Sequence, residues 1–99
     1  MASKTISWTR TAVKQFEKAV EYIASDSTKN AEKVSIDILK HLEKTIKNPE
    51  FFPEDKYKQH NDGSYRAFEK HHYRIAYRFT NQVIRVLTVR HTSREPKLY

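Results

Sequence analysis

The chain has 99 residues, 37% of them hydrophobic and 12% aromatic, which suffices for one small core and predicts a single domain over residues 1–99. It contains no cysteine, which excludes disulfides and thiolate-based metal sites or nucleophiles. No apolar run approaches the ~20 residues of a membrane span and no signal peptide is recognisable, so we expect a cytoplasmic protein with no membrane contact. The net charge of +7 favours an anionic partner, either nucleic acid or an acidic protein.

The first half of the chain predicts a strand and two helices. Residues 4–8 have the composition of a short strand, and Thr9 or Thr11 can cap the helix that follows. That helix carries an apolar stripe at three- and four-residue spacing, made of Ala12, Val13, Phe16, Ala19, Val20 and Ile23. Residues 25–27 end it and offer caps for a second helix, which stops at Pro49 because proline cannot continue a helix interior. The stripe of the second helix consists of Ala31, Val34, Ile38, Leu42 and Ile46.

The second half predicts three strands. Residues 51–62 are irregular, and Gly63, the only glycine, suits a turn that needs a positive φ. Residues 65–69 have a strand pattern and lead through Lys70 and His71 into residues 73–79, where apolar and basic residues alternate. Residues 83–89 are dominated by β-branched side chains. The predicted fold is therefore α+β: an antiparallel two-helix hairpin on one face of a small, mostly antiparallel four-stranded sheet, in the order β-α-α-β-β-β.

A turn centred on Asn81 and Gln82 predicts the pairing of the last two strands. The expected pairs are Phe79–Ile84, Tyr77–Val86, Ile75–Thr88 and Tyr73–Arg90 on one face, and Arg74–Val89, Ala76–Leu87 and Arg78–Arg85 on the other. Directly opposed Arg78 and Arg85 repel each other, which an acidic neighbour, a partner protein or a phosphate would relieve. Two solvated arginines that splay apart are the simpler interpretation.

The C-terminal ten residues concentrate chemistry that suits RNA cleavage. Arg90, Arg94 and Lys97 can hold phosphates, His91 can exchange a proton near neutral pH, and Tyr99 can stack on a base or act as an acid. With Arg66 and Arg74 on adjoining strands, the set offers a base, an acid and cations for the developing charge. The competing interpretation is a solvated basic terminus that frays.

Two further groups of residues complete the candidates. Lys56 and Lys58 flank Tyr57, a mixture typical of single-stranded nucleic-acid binding but also of an ordinary solvated loop. Adjacent His71 and His72 would point to opposite faces if they lie in a strand, and the five histidines show no local ligand spacing. We therefore expect no metal ion and no cofactor.

The whole chain resembles the RelE/ParE superfamily of bacterial type II toxins. The matching pieces, in chain order, are ISWTRTAVKQFEKAVEYIASDS, AEKVSIDILKHLEKTIKNP, YRIAYRF and LTVRHTSR. The resemblance implies a helical hairpin on a small twisted sheet, growth arrest as the activity, and a cognate antitoxin whose C-terminal segment, expected to be acidic, wraps the toxin. A basic protein is a suitable target for such a segment.

The superfamily implies two mechanisms. One branch resembles ribosome-dependent messenger-RNA endonucleases (mRNA interferases) that need no metal, with the ribosome and mRNA as partners. The other resembles non-enzymatic inhibitors of DNA gyrase. Arg74 matches the strand arginine of both branches, whereas Phe68 stands where nucleases often carry a second basic residue after Arg66. A plain binding module is a third possibility.

The tail chemistry favours the nuclease, with the gyrase inhibitor as the alternative. The predicted catalytic residues are His91 for proton transfer, Arg74 and Arg94 for phosphate charge, and Tyr99 for stacking or assistance. The predicted nucleic-acid-binding residues are Arg66, Arg78, Arg85, Arg90, Lys97, Lys56 and Lys58.

Overall fold

The computed structural model describes residues 4–99 and contains two helices and one four-stranded sheet. The strands are β1 (Thr5–Trp8), β2 (Tyr65–Lys70), β3 (Tyr73–Phe79) and β4 (Val83–His91), and the helices are α1 (Arg10–Ala24) and α2 (Thr28–Lys47). The sheet order is β1-β4-β3-β2, with β1 parallel to β4 and the other pairs antiparallel. The predicted fold and element order are confirmed. Within residues 4–99, neither helix is long and apolar enough to cross a membrane.

The helix ends lie at the predicted capping residues. The Thr9 hydroxyl accepts a hydrogen bond from the Ala12 amide at 3.0 Å, and the Ser27 hydroxyl accepts one from the Asn30 amide at 3.0 Å. Each satisfies one of the free amides of a helical first turn. Because only three residues join the helices, they form the expected antiparallel hairpin.

The core lies between this hairpin and one face of the sheet. It combines alanine and aliphatic side chains of both helices with inward-facing residues of β2, β3 and β4, which are Phe68, Tyr73, Ile75, Tyr77, Ile84, Val86 and Val89. Most of the predicted stripe of α2 is buried, with Ile46 partly exposed. On α1 the prediction was wrong for Val13, which is exposed, because small Ala12 and Ala19 bring the helix against the core.

The pairing of β3 and β4 follows the prediction only as far as Tyr77–Val86. There a bulge shifts the register by one residue, so that Ile75 pairs with Val89, Arg74 with Arg90 and Tyr73 with His91. The four pairs predicted beyond this point were therefore wrong. The shift has a packing cause: in an unbroken ladder Val89 would lie on the outer face, whereas the bulge returns it to the core beside Ile75.

The link between β2 and β3 corrects the histidine prediction. His71 and His72 form the hairpin turn rather than strand, and both have positive φ, of 52° and 69°. Positive φ at both central residues is the requirement of a type I′ turn. The turn is held in place because His71 Nε2 lies 2.6 Å from Asp37 Oδ2 and the Thr92 amide donates to the His72 carbonyl at 2.7 Å. Gly63 has the predicted positive φ, of 93°.

Candidate functional site

The outer face of the sheet, opposite the helices, carries three cross-strand rows of side chains. Directly paired residues share a face, so one row consists of Glu69, Arg74 and Arg90. The next row is made of Ala67, Ala76 and Thr88, and the third of Tyr65, Arg78 and Arg85. The register shift places Arg90 beside Arg74 on this face. In the predicted register Arg90 would have faced the core.

The C-terminal residues 94–99, the tail segment, fold back across this face. The Tyr99 amide donates to the Tyr57 carbonyl at 3.0 Å, and the Gln59 amide donates to the Tyr99 carbonyl at 2.6 Å. Between the segment and the sheet lies a cavity of about 570 Å³, the tail cavity. Seven of the predicted site residues line it: Lys58, Arg74, Arg90, His91, Arg94, Lys97 and Tyr99.

Asp55 holds the centre of this arrangement, and the sequence analysis missed it. Asp55 is only 3% exposed, and its carboxylate lies 2.8 Å from Arg74 Nη2. The same carboxylate accepts the Tyr99 hydroxyl at 2.6 Å and the Tyr57 amide at 3.1 Å. Because Tyr99 is 44 positions away in sequence and Arg74 is 19 away, no local spacing could have revealed the group.

The Arg74 guanidinium contacts two carboxylates and one aromatic ring. Besides Asp55 it contacts Glu69, with Nη1 3.1 Å from Oε2, and its guanidinium lies 4.8 Å from the centre of the Tyr57 ring. Burial lowers the pKa of Arg74, but the hydrogen bonds to Asp55 and Glu69 outweigh this and raise it above its usual value. Two carboxylates already lie on this cation, so a phosphate bound there would be repelled by both of them.

The Tyr99 hydroxyl is held by its hydrogen bond to Asp55. Burial raises the pKa of its hydroxyl, and the hydrogen bond to Asp55 raises it further. A phenol with a raised pKa does not release its proton readily near pH 7. Its ring meets that of Tyr65 edge to face, with centroids 6.1 Å apart, and the Lys58 ammonium lies 5.4 Å from the ring centre. Tyr99 therefore closes one end of the tail cavity.

His91 borders the cavity, but its ring packs towards the other face. It pairs with the buried Tyr73, and the two rings meet edge to face with centroids 5.1 Å apart. Its Nδ1 accepts the Ser93 amide at 3.0 Å and lies 2.7 Å from the Ser93 hydroxyl. The imidazole thus lies in a groove between α1 and the end of β4, on the opposite side of the sheet from the Arg74 and Tyr99 side chains.

The remaining predicted residues lie outside the tail cavity. Arg66 pairs with the core residue Tyr77, so it lies on the helix-covered face. Its guanidinium donates hydrogen bonds to the Gly63 and Phe52 carbonyls. Arg78 and Arg85 are paired as predicted and both are exposed; within residues 4–99 neither forms an ion pair. Lys56 extends over the Tyr57 ring at 5.3 Å. The structure therefore does not bring Arg66 together with Arg74.

No cluster of three or more histidine, cysteine, aspartate or glutamate side chains suitable for a metal occurs within residues 4–99. Asp37 and His71 form a pair that joins α2 to the β2–β3 turn. The hydrogen bond from His71 holds the pKa of Asp37 below its usual value against the opposing effect of desolvation. This pair positions the β2–β3 hairpin. Within residues 4–99, no third histidine, cysteine, aspartate or glutamate joins it to form a metal site.

Comparisons with known proteins agree with this architecture. The chain is similar to a solved structure titled "Chromosomal ParDE TA system from P. aeruginosa", with a TM-score of 0.67 and 15% identity over 89% of this chain and 95% of that one. A family model described as "ParE toxin of type II toxin-antitoxin system, parDE" matches residues 6–96. No curated protein matches the sequence significantly.

The fold and the family match together define a type II toxin of the RelE/ParE superfamily. Within that superfamily, the chain belongs to the ParE toxin family. A toxin of such a system has a cognate antitoxin as its partner, as the sequence predicted.

The position of Asp55 predicts an acid-sensitive tail segment. Burial by itself raises the pKa of Asp55, but hydrogen bonds from Tyr99, Arg74 and the Tyr57 amide outweigh it, so the pKa lies below its usual value. A carboxyl whose pKa is depressed by folding contributes stability that is present above its unfolded pKa and lost as the pH falls through its folded pKa. We expect the unfolding free energies of wild type and Asp55→Asn to differ at neutral pH and to converge below about pH 4.

Urea unfolding at a series of pH values would measure this convergence. Other carboxyls with lowered pKa values, such as Asp37 and Asp62, contribute equally to both proteins and cancel in the difference. A difference between the two proteins that stays constant with pH would show that Asp55 does not stabilise the fold through its charge.

Proposed function

We propose that residues 1–99 act as one cytoplasmic toxin domain that arrests growth by binding DNA gyrase without catalysis. This was the alternative of the sequence analysis. The observation that carries the proposal is the Asp55 carboxylate, which occupies both Arg74 and Tyr99. Two of the four residues predicted to cleave RNA are thereby engaged in holding the tail segment on the sheet.

The position of His91 supports the same proposal. General acid–base catalysis requires the proton-transfer group within hydrogen-bond reach of the reacting atoms. The His91 ring lies against Tyr73 on the helix side, whereas Arg74, one of the two arginines predicted to hold the phosphate, lies on the outer face. The other, Arg94, borders the grooves on both sides. A phosphodiester held by Arg74 would therefore have to contact both sides of the strand to reach His91. Membership of the ParE family also fits a gyrase-directed toxin.

The antitoxin belongs to this proposal as the partner that keeps the toxin inactive. Its C-terminal segment, which we expect to be acidic, would be attracted to a surface carrying a net charge of +7. Exposed basic residues of the outer face that form no ion pair within residues 4–99, such as Arg78 and Arg85, offer sites for such carboxylates.

Two assays run side by side test the mechanism. The first measures supercoiling by purified gyrase, and the second measures messenger breaks by primer extension in a reconstituted translation system. We expect inhibited supercoiling, no messenger breaks, and unchanged toxicity of His91→Ala. Loss of a proton-transfer residue would instead lower a nuclease's rate by about 10²–10⁴-fold.

The outcomes separate the three classes of function. Ribosome-dependent breaks that disappear in His91→Ala and Arg94→Ala would overturn the proposal in favour of mRNA cleavage. Folded protein that causes no growth arrest would favour a plain binding module. Arg10→Ala serves as a control, because Arg10 is an exposed arginine of α1 that does not line the tail cavity.

A further inference from the structure

The tail cavity has the size of a small-molecule site. Its volume of about 570 Å³ lies within the range of roughly 300–1,000 Å³ that is usual for ligand pockets. The sheet forms its floor and the tail segment its roof, which the Tyr99–Tyr57 and Gln59–Tyr99 backbone hydrogen bonds hold down. A cavity of this size can hold a small molecule.

The charges around the cavity are unbalanced. Five cationic side chains and two carboxylates line it, and both carboxylates, Asp55 and Glu69, are paired with Arg74. Arg90 lies directly across from Arg74 on the neighbouring strand, and within residues 4–99 it forms no ion pair. The five cations outnumber the two side-chain carboxylates, so an anion beside Arg90 would be favoured.

The rest of the lining is apolar or aromatic. Ala76 and Leu87 contribute from the floor, Pro96 and Leu98 from the roof, and the Tyr57 and Tyr65 rings from one end. Such walls gain free energy by covering a flat hydrocarbon or aromatic body. The cavity therefore combines two guanidiniums that form no ion pair within residues 4–99, those of Arg90 and Arg94, with an apolar lining, a pattern typical of sites for small organic acids.

We propose that the tail cavity binds a small organic anion whose carboxylate or phosphate pairs with Arg90 and whose flat apolar body lies between Leu87 and Leu98. This binding function is separate from the proposed action on gyrase and does not depend on it. Lys97, which lies on the tail segment and lines the same cavity, supplies a second cation. Bound ligand would join the roof to the floor and so stabilise the closed tail segment.

Amide NMR of the full chain, titrated with phenylacetate, phenyl phosphate and neutral phenylacetamide, tests the proposal. The two anions distinguish a carboxylate from a phosphate ligand, and the amide isolates the contribution of charge. We expect saturable shifts at the Thr88, Arg90 and Leu98 amides with at least one anion, with a Kd below about 1 mM. Phenylacetamide should bind at least about tenfold more weakly.

Two variants locate the site. Arg90→Gln should weaken anion binding by about tenfold or more, and Lys97→Gln should weaken it by a smaller factor. Lys97 is exposed on the tail segment, so its replacement does not endanger the fold. Arg10→Gln removes an equal charge from an exposed position of α1 outside the cavity, and should leave binding unchanged.

Three results would overturn the proposal. They are an absence of saturable shifts with both anions, equal binding of phenylacetamide, and an equal loss of affinity in Arg10→Gln and Arg90→Gln. The last result would indicate general attraction to a basic protein. None of these readouts uses gyrase or growth arrest, so failure here leaves the proposed function standing, and the converse also holds.

Discussion

Asp55→Ala should lower the free energy of unfolding by about 3 kcal/mol, because removing one partner of a buried ion pair leaves the other charge uncompensated. The Arg74 side chain is only 19% exposed, so water cannot fully replace the lost carboxylate. Glu69 remains 3.1 Å from Arg74, which keeps our expected loss at the lower end of the usual range. Urea unfolding at neutral pH measures the change.

The same substitution should release the tail segment. Tyr99 loses the acceptor of its hydroxyl, and it is then held by backbone hydrogen bonds, ring contacts and the Lys58 ammonium, which donates to its carbonyl at 3.4 Å. We expect faster hydrogen exchange of the Tyr99 amide, which donates to Tyr57 in the closed arrangement. Amide exchange by NMR would show this separately from global unfolding.

Glu69→Ala provides the matched control. It removes the other carboxylate from Arg74, but the Glu69 side chain is 54% exposed, and exposed ion pairs contribute about 0–1 kcal/mol. Asp55→Ala should therefore be clearly more destabilising than Glu69→Ala. Equal losses would mean that burial does not distinguish the two contacts and that Asp55 is not the centre of the site.

The helices could be predicted from the sequence because their determinants are local. The stripe of α2 recurs every three or four residues, and Ser27 and Asn48 flank it at the observed caps. Val13 shows the limit of such a pattern. A hydrophobic periodicity gives the direction of the stripe, but the depth of each residue depends on the distance between helix and sheet, which Ala12 and Ala19 determine.

The order of buried residues along β4 reflects the bulge. Ile84 and Val86 are buried at even positions, whereas Val89 is buried at an odd one, so the apolar phase of the strand changes within it. A two-residue period cannot change phase without an extra residue. The run of β-branched residues around the change concealed it, because each of them suits either face.

This one extra residue decides which side chains meet. It moves Arg90 to the outer face beside Arg74 and moves His91 to the side of Tyr73. The predicted catalytic group required His91 to act together with Arg74 and Tyr99, and it depended on a register that local pattern could not supply. Asp55 was out of reach for a related reason, since both of its side-chain partners come from distant parts of the chain.

Tyr77→Ala should be the most destabilising single substitution in the sheet, with an expected loss of about 3–5 kcal/mol. Tyr77 is 0% exposed at the centre of the core, and burial raises the pKa of its hydroxyl to about 12. The hydroxyl donates to the Pro49 carbonyl at 2.8 Å, so the side chain also ties β3 to the segment that follows α2. A domain of this size has a total stability of about 5–15 kcal/mol, so the variant would retain only part of it.

Tyr77→Phe separates the two contributions, because it keeps the ring and removes only the hydrogen bond. We expect it to cost about 1 kcal/mol. Tyr22→Ala is the control, since Tyr22 is 74% exposed and its loss should change stability by no more than about 0.5 kcal/mol. Trp8, the only tryptophan, packs on Phe16 with ring centroids 5.2 Å apart, so its fluorescence can follow urea unfolding of all three variants. If Tyr22→Ala proved as costly as Tyr77→Ala, the core would not be centred on β3, and the outer face that depends on its register would have to be reassigned.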